Sequence, residues 1–489
     1  MPPAAKARFP TATALQKLAR ELQQIDAFLR EAEARAEPML QKVHPSNSNN
    51  ARNLVHYLAL RSLDIRTLQD QLHAAGLSSL VSSESHIRGQ LLAILQRLGK
   101  RVRPSGNIFT YETGKESLLR KVMGLFGPRP DASPYLMVTF DTPFAYDYAA
   151  VKKLLQSGMN VARINCAHDD EATWFRMIQH VRRASKATGL PCKVYMDLAG
   201  PKIRTLLPEG KKLAVQEGRI IHLTDADGLS TVNGPAVGCT VPGIYEQLQP
   251  GERVLFDDGL VEARVEKIHK QHADLLLMRI SSKKPFIKNE KGINFPDSHL
   301  SLSALTAYDR QCLPFINRYA DMVGYSFVRN AKDMLELKEA LGKNKRVSII
   351  IKVETPEAVK NLPHLLFNAL QEPYAGVMIA RGDLAVEIGF ERMSEIQEEI
   401  LWICEAAHVP VIWATQVLEN LNKSGVATRS EITDAAHAAR ADCVMINKGS
   451  HTIEVLETLK DILVRSGGHH EKKRYTFRPL SIATRFMNS

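Results

Sequence analysis

Two charged residues, Lys352 and Glu354, lie two positions apart at the end of an apolar run, VSIIIKVE. Residues two apart in a β-strand project to the same face, so this spacing predicts an ammonium group beside a carboxylate. Arg163 and Asn165 repeat the spacing at the end of a second run, NVARINC. A buried lysine is costly unless carboxylates or a bound anion pair with it. The two pairs therefore predict a site for an anionic substrate.

Further apolar runs also end in polar residues. The run AGVMIAR leads into Gly382 and Asp383, and VPVIWATQ ends at Thr415. Glu354 and Asp383 together suit a hard divalent ion such as Mg2+, which takes one or two carboxylates and completes its shell with water and substrate oxygens. Gly382 allows close approach of a ligand to the backbone, and the amides after it open a helix that can bind an anion. This set predicts phosphoryl transfer or enolate stabilisation assisted by a metal. The remaining polar run ends are Asp197, Ser326, Gln416 and Asn447-Lys448-Gly449.

These residues belong to eight short β-branched runs that alternate with amphipathic stretches of helical length. Alternation of buried strands with helices is typical of parallel βα units, and eight units predict an α/β fold built on a closed (β/α)8 TIM barrel. In such a barrel the carboxyl ends of the strands meet at one face, so the polar residues above are expected to converge there. The runs begin at residues 135, 160, 193, 321, 347, 375, 409 and 441.

One interval between strands is much longer than the others. It spans 128 positions, from residue 193 to residue 321, whereas the others span 25 to 34. Its middle part alternates polar and apolar residues with Gly-bearing turns, which predicts an inserted small β-rich lid domain at the catalytic end. We therefore expect a barrel catalytic domain over 131–204 and 294–465, and a lid over 205–293.

The chain ends differ from the barrel in composition. Residues 1–130 hold 19 Lys and Arg against 10 Asp and Glu, and most of the net charge of +11 lies there. Helical spacing of apolar residues predicts an N-terminal helical extension, with Pro/Gly-bearing stretches over 100–130 that indicate a linker. The extension is interpreted either as a brace for the bottom of the barrel or as a partner-binding element. A basic tail is expected over 466–489.

Charge, apolar runs and cysteines limit the classes of function. The basic residues of the extension alternate with acidic ones and form no compact cluster, so we expect no nucleic-acid partner. No uninterrupted apolar run approaches the length of a membrane span, so no membrane partner is expected. Six scattered cysteines are typical of reduced thiols, and a cytoplasmic location is expected.

Several segments, in this order along 135–450, resemble the signature segments of the pyruvate kinase family. The resemblance implies transfer of a phosphoryl group between phosphoenolpyruvate and ADP, giving pyruvate and ATP in glycolysis, with Mg2+ or Mn2+ and a closing lid. The segments are GMNVARIN-x-x-H (158–168), D-x-x-G-P-x-I-R-T (197–205), FDDGLV (256–261), KGINFP (291–296), IKVET (351–355), ARGDLAVEI (380–388) and ATQVLE (414–419).

The resemblance also implies roles for individual residues. Arg163 would contact the transferring phosphoryl group, and Lys352 would stabilise its charge and the enolate. Glu354 and Asp383 would bind the divalent ion. The residues implied to hold the substrate are Ser326 near the phosphate, the amides of Gly382 and Asp383, and Thr415, which would also lie near the protonation face. Those implied to face the nucleotide are Asn165, His168, Arg204 and Lys291.

The chain departs from the family pattern around its monovalent-cation site. Two oxygen-bearing residues of that site are replaced by Ala167 and Leu198, and the usual Glu of the G-P-E-I-R segment is Lys202. A lysine ammonium can act as a fixed positive charge in place of K+. We therefore expect activity without K+, with Lys202 as the substitute, or else a Lys202 that simply points into solvent.

Other departures lie in the first and last barrel segments and at the C-terminus. The T-x-G-P-A-S segment of the first strand reads Thr139 to Phe144 and is followed by Ala145 in place of a frequent Arg, and the S-G-E-T segment is replaced by residues 447–450. The C-terminal regulatory domain of the family is expected to be absent.

Two alternatives to the pyruvate kinase reaction stay open: a metal-dependent lyase or aldolase of the phosphoenolpyruvate/pyruvate barrel class, and a catalytically silent regulator. Nucleotide preference and homo-oligomer formation are also open.

Overall fold

The computed structural model describes residues 10–102, 108–128, 133–281, 285–342, 346–467, 470–472 and 474–475. In chain order, its strands are β1 Tyr135–Thr139, β2 Val161–Asn165, β3 Lys193–Asp197, β4 Thr205–Leu206, β5 Lys212–Ala214, β6 Ile220–Thr224, β7 Ala236–Cys239, β8 Arg253–Phe256, β9 Val261–Ile268, β10 His272–Ile280, β11 Phe286–Lys288, β12 Ile293–Asn294, β13 Met322–Tyr325, β14 Ser348–Val353, β15 Ala375–Ala380, β16 Val411–Ala414, β17 Cys443–Ile446, β18 His470–Glu471 and β19 Arg474–Tyr475.

Eight parallel strands close into a barrel. The order around the barrel is β1-β17-β16-β15-β14-β13-β3-β2, and β1 pairs with both β17 and β2. Each of the eight apolar runs identified in the sequence forms one of these strands, so the predicted (β/α)8 barrel is confirmed. The helices that follow the strands are α6 Tyr148–Gln156, α7 Glu171–Thr188, α8 Ala307–Tyr319, α9 Ala331–Leu341, α10 Pro356–Lys360, α11 Leu362–Ala369, α12 Arg381–Ile388, α13 Met393–Ala406, α14 Glu419–Ser424, α15 Arg429–His437 and α16 Thr452–Gly467.

Helices precede the barrel and pack against it. They are α1 Ala12–Leu40, α2 Ser48–Arg61, α3 Arg66–Ala74, α4 Ile87–Arg97 and α5 Tyr111–Phe126. Polar side chains of the extension bond to barrel carbonyls: Asn47 Nδ2 donates to Leu370 O at 3.0 Å, and Asn53 Nδ2 donates to Ala406 O at 2.8 Å. These bonds attach the extension to the outer helices of the barrel, as expected of a brace.

Helix α5 differs from the linker expected over 100–130. A capping box at Thr110 starts the helix, and Phe126 ends it just before the first barrel strand. Its apolar side chains, including Leu125, join one buried cluster with inward-facing strand residues such as Met137 and Ile350. This contact closes the bottom of the barrel, which explains why a Gly- and Pro-flanked segment becomes an ordered helix.

The insertion between β3 and β13 forms separate sheets with their own buried core. Seven strands pair in the order β12-β8-β9-β10-β6-β7-β4, and β11 pairs with β5. Most pairs are antiparallel, but β6 and β7 run parallel. The entry and exit of the insertion lie side by side, because Thr205 N donates to Lys291 O at 2.7 Å and Arg204 bridges Gly292. The two connections therefore leave the barrel together.

Within the described ranges, no helix combines the length and the apolar character that crossing a membrane requires. Most of the expected C-terminal tail, 466–489, lies outside the described residues, and the domain boundaries given above stay predictions.

Candidate active site

A cavity of about 640 Å3 opens at the carboxyl ends of the barrel strands, beneath the insertion. It brings together residues from strands that are far apart in the sequence, as the barrel topology requires. Of the residues to which the sequence gave a role, those on its wall are Arg163, Asn165, His168, Lys202, Arg204, Ser326, Lys352, Glu354 and Asp383. The polar strand ends Asp197, Asn447 and Lys448 also line it, whereas Gly382, Thr415 and Lys291 do not.

Lys352 lies on the wall of this cavity with three polar partners. Its Nζ is 2.9 Å from Glu354 Oε1 and 3.3 Å from Asp197 Oδ1, and it donates to Ser326 Oγ at 2.6 Å. Burial acts to lower the pKa of Lys352, but the charges of Asp197 and Glu354 outweigh burial and raise it. The side chain is only 10% exposed, so it presents a permanent, poorly hydrated positive charge to the cavity.

Asp197 connects the two cations of the site. Its Oδ2 accepts from Arg163 Nη2 at 2.5 Å and from Nε at 3.0 Å, while Oδ1 accepts from the hydroxyl of Tyr195 at 2.9 Å. Burial acts to raise the pKa of Asp197, but Lys352 and Arg163 outweigh it and hold the pKa below its ordinary value. Asp197 therefore stays ionised and fixes both cations in place.

Asp197 and Tyr195 were not among the residues to which the sequence led us to give a role. The signal was present, since Asp197 ends a barrel strand and Tyr195 lies two positions before it on the same face. The sequence could not show that Asp197 would contact Arg163 from β2 and Lys352 from β14, because these contacts depend on closure of the barrel.

Two carboxylates at the cavity could hold a divalent cation. Glu354 Oε2 accepts from the backbone N–H of Phe327 at 2.7 Å, and Asp383 lies in the first turn of α12. Burial is the main cause that raises the pKa of Glu354; Lys352 opposes the shift and Asp383 adds to it. A buried glutamate whose ionisation is opposed by a neighbouring aspartate fits a hard divalent ion, which would be neutralised by both carboxylates.

Lys202 reaches into this cavity from the connection between β3 and the insertion. Its Nζ donates to Asp383 Oδ1 at 2.6 Å, and 31% of the side chain is exposed. Lys202 therefore does not simply point into solvent but pairs with Asp383. Asp258 of the insertion lies near this pair: burial raises its pKa, Lys202 opposes the shift and Asp383 adds to it.

The turn after β16 has an unusual backbone that positions Thr415. Thr415 has φ +68° and Gln416 has φ +55°, a region that costs about 1–3 kcal/mol for a non-glycine residue. Arg381 holds the turn by donating to Ala414 O at 3.2 Å and to Thr415 O at 2.7 Å. Thr415 Oγ1 accepts from the Gly382 N–H at 2.7 Å, so the hydroxyl and this amide lie together beside Asp383.

The residues expected to face a nucleotide lie toward the insertion. Asn165, His168 and Arg204 line the cavity, whereas Lys291 pairs with Asp257 at 3.1 Å. The pKa of His168 is lowered by partial burial and by the positive charges of Lys448 and Arg204. A neutral imidazole among these cations leaves an electropositive edge that suits an anionic ligand.

A carboxylate at the joint between the insertion and the barrel gives a testable dependence on pH. Glu387 of α12 accepts from Asn294 Nδ2 at 2.7 Å, and burial raises the pKa of Glu387 from 4.5 to about 7. Between pH 4.5 and 7 the unfolded chain releases this proton before the folded chain does, so the folded state loses stability as pH rises through this window.

We predict that Glu387→Gln raises the free energy of unfolding above pH 7 by about 3 kcal/mol and leaves it unchanged near pH 4. The amide keeps an oxygen that can accept from Asn294 but carries no charge. Urea unfolding at both pH values, without divalent metal, measures the difference. The exposed Glu457→Gln serves as the control, and equal effects of Glu387→Gln at both pH values would contradict the prediction.

Comparison with known proteins agrees with the fold. The family model described as pyruvate kinase, barrel domain, matches residues 124–453. Pyruvate kinase of Geobacillus stearothermophilus is 33% identical over 323 residues, which cover 64% of this chain and 54% of that protein. Pyruvate kinase of Staphylococcus saprophyticus is 31% identical over 351 residues, covering 69% of this chain and 58% of that protein.

Pyruvate kinase of Bacillus licheniformis is 31% identical over 333 residues, with 66% of this chain and 55% of that protein covered. The chain thus spans about half the length of the curated relatives it matches. The matched part contains all eight barrel strands, the insertion and every residue of the cavity described above. The family model covers well over half of the chain, and the chain belongs to the pyruvate kinase family.

Proposed function

We propose that this protein transfers a phosphoryl group from phosphoenolpyruvate to ADP, giving pyruvate and ATP, as a cytoplasmic enzyme of glycolysis. The observation that carries the proposal is the buried Lys352, held between Asp197 and Glu354 next to Arg163, at the mouth of the barrel. Loose phosphoryl transition states need positioning and neutralisation of charge more than covalent catalysis. A fixed pair of cations supplies both.

The proposed roles of the cations follow from their positions. Arg163 and Lys352 are joined through Asp197, so they would face the transferring phosphoryl group from two sides. Ser326 Oγ accepts from Lys352 at 2.6 Å and donates to Leu198 O at 2.6 Å, which fixes the direction of the ammonium group. As the enolate forms, Lys352 would hold the new negative charge without any rearrangement.

A divalent ion, Mg2+ or Mn2+, would be held by Glu354 and Asp383. When bound, the ion supplies further neutralisation of the phosphoryl and enolate oxygens. The carboxylates themselves would exchange partners on loading, because Glu354 contacts Lys352 and Asp383 contacts Lys202 without the ion. Water oxygens would complete the shell, as is usual for Mg2+.

The remaining proposed contacts are those to the substrate carboxylate and those to the nucleotide. The Gly382 and Asp383 amides and the Thr415 hydroxyl would bind the substrate carboxylate, with the Gly382 N–H exchanging its bond to Thr415 Oγ1 for one to the substrate. Thr415 would also lie near the face of the enolate that receives a proton. Asn165, His168 and Arg204 would face the nucleotide, with Lys291 reaching it after closure of the insertion. Closure would also exclude water, which otherwise competes as phosphoryl acceptor.

One assay tests the proposal against its alternatives. Purified protein is given phosphoenolpyruvate, ADP and Mg2+, and the formation of pyruvate and ATP is followed. Equal amounts of the two products are expected, and none without the metal. Cleavage of a hydroxy-keto acid without nucleotide would indicate a lyase instead. Absence of both reactions, in protein that binds phosphoenolpyruvate, would indicate a silent regulator.

We expect the rate to be the same in K+ salts and in tetramethylammonium salts, because Lys202 Nζ already places a positive charge 2.6 Å from Asp383. We expect Lys202→Gln to lower the rate about 10-fold, the equivalent of 1.4 kcal/mol. The exposed Lys211→Gln, on the insertion, is the control. Strong activation of the unmodified protein by K+ would contradict this prediction.

A further inference from the structure

Three histidines and one aspartate cluster on the outer face of the insertion, on the strands β6 and β10 and in the turn before β10. His272 and Asp274 lie two positions apart on β10, and Asp274 is directly opposite His222 of β6 in the antiparallel register. The intervening Ala273 points into the buried core of the insertion. The alternation of the strand therefore places the polar side chains together on the opposite face.

The side chains of this cluster meet at one carboxylate. Asp274 Oδ1 lies 2.8 Å from His222 Nδ1 and 3.3 Å from His272 Nε2. The ligand atoms that these three residues offer all lie within 4.8 Å of one another. His269, in the turn before β10, contacts the other oxygen, with Nε2 2.9 Å from Asp274 Oδ2.

We propose that His222, His272 and Asp274 form a binding site for a borderline divalent transition metal, with Zn2+ as the first candidate. Zinc binds imidazole nitrogen and carboxylate oxygen at about 2.0–2.2 Å, so small side-chain movements would bring the three groups to bonding distance. Imidazole ligands suit zinc, copper and nickel, whereas Mg2+ prefers oxygen. The site is thus chemically distinct from the carboxylates in the barrel.

The surroundings of the cluster fit such a site. The four side chains are 18% to 33% exposed, which allows entry of an ion and leaves room for a water as a fourth ligand. The rings of His269 and His272 stack at 4.5 Å with an interplanar angle of 17°, and the ring of His222 meets that of His272 edge-on at 4.8 Å. These contacts limit the rotation of the rings before any ion arrives.

His269 acts as a positioning residue in this proposal. It holds Asp274 through the oxygen that the other histidines do not contact, which orients the carboxylate toward them. Partners of this kind are worth about 10–100-fold in metal affinity. A bound ion would join β6 to β10 across the sheet, so it would also stabilise the insertion against unfolding.

Metal titration of the full chain tests the proposal. Protein without an affinity histidine tag is stripped with a chelator and supplied with excess Mg2+, which occupies the carboxylates of the barrel. Zn2+ is then added, with Co2+ as a spectroscopic probe. We expect one tightly bound Zn2+ per chain, a visible absorption typical of tetrahedral Co2+, and a higher melting temperature of the insertion on addition of Zn2+.

Variants separate this site from any other. His269→Ala should weaken Zn2+ binding by about 10–100-fold. His222→Ala and His272→Gln should weaken it more, since each removes a direct ligand. His299→Ala, which removes an imidazole 93% exposed elsewhere on the chain, is the matched control and should bind Zn2+ as the unmodified protein does.

The proposal fails under either of two results. One is that the unmodified protein binds no Zn2+ above the level of the doubly substituted His222→Ala/His272→Gln protein, which would mean a hydrogen-bonded cluster only. The other is that all variants bind Zn2+ equally, which would mean that the ion is held elsewhere. Far-ultraviolet circular dichroism checks that each variant is folded, as expected for substitutions on the outer face of a sheet.

Discussion

Lys352→Met is expected to lower the rate of phosphoryl transfer by about 10³-fold, the effect of removing a fixed charge that stabilises a transition state. The methionine keeps the length of the side chain but cannot neutralise an enolate or a phosphoryl oxygen. It also leaves Asp197 and Glu354 without the ammonium group that lies 3.3 Å and 2.9 Å from them. The initial rate of pyruvate formation at saturating substrate measures the effect.

The control for this prediction is Lys360→Met, at the end of the helix that follows the same strand. Lys360 is exposed and lies away from the cavity, so its replacement should leave the rate unchanged. Circular dichroism at the assay temperature shows whether the Lys352 variant is folded. A folded Lys352→Met protein with undiminished activity would contradict the proposed role of the lysine and the proposed reaction centre with it.

Asp197→Ala is expected to lower the free energy of unfolding by about 3–5 kcal/mol, the usual cost of removing one partner of a buried ion pair. Asp197 is 1% exposed and compensates Arg163 and Lys352 at the same time. Without it, these two largely buried cations lose the carboxylate that they share. Urea unfolding of the two proteins at pH 7 measures the loss.

The pH dependence gives this prediction a second test. The pKa of Asp197 is held below its ordinary value of 3.8, so its contribution is fully present above that pH and is lost as pH falls through the lower, folded-state value. The difference between the two proteins should therefore shrink in acid. Asp461→Asn, which removes an exposed partner of Arg465, is the control and should cause no measurable loss. Equal stability of Asp197→Ala and the unmodified protein would show that the pairs contribute nothing.

Some contacts of the site join residues that are close together in the sequence, and these contacts could be predicted. The pair of Lys352 and Glu354 could be predicted to share a face because the period of a strand is two residues, and in the structure they lie 2.9 Å apart. Arg163 and Asn165 were predicted on the same ground, and both line the cavity. Their proposed roles in the reaction stay predictions until the assays above are made.

Contacts between distant segments had no such local signal. The role of Lys202 stayed open in the sequence, between a substitute for K+ and a solvent-exposed side chain. The structure places it on Asp383, which is 181 positions away along the chain. The sequence predicts a linker where helix α5 forms, because the burial of this helix depends on the open bottom of a barrel that is built from later residues.

The order of residue types along the chain is sufficient to predict the alternation of strands and helices, the closed barrel with an insertion and, through the ordered segments, the family. Each of these features depends on the periodicity of apolar residues or on the order of segments along the chain. Only the folded chain shows that Asp197 contacts two cations, that Lys202 contacts Asp383 and that His222 contacts Asp274. The physical reason is that charges and ligands act over a few ångströms in space, and only the closed barrel and the paired strands bring those side chains to such distances.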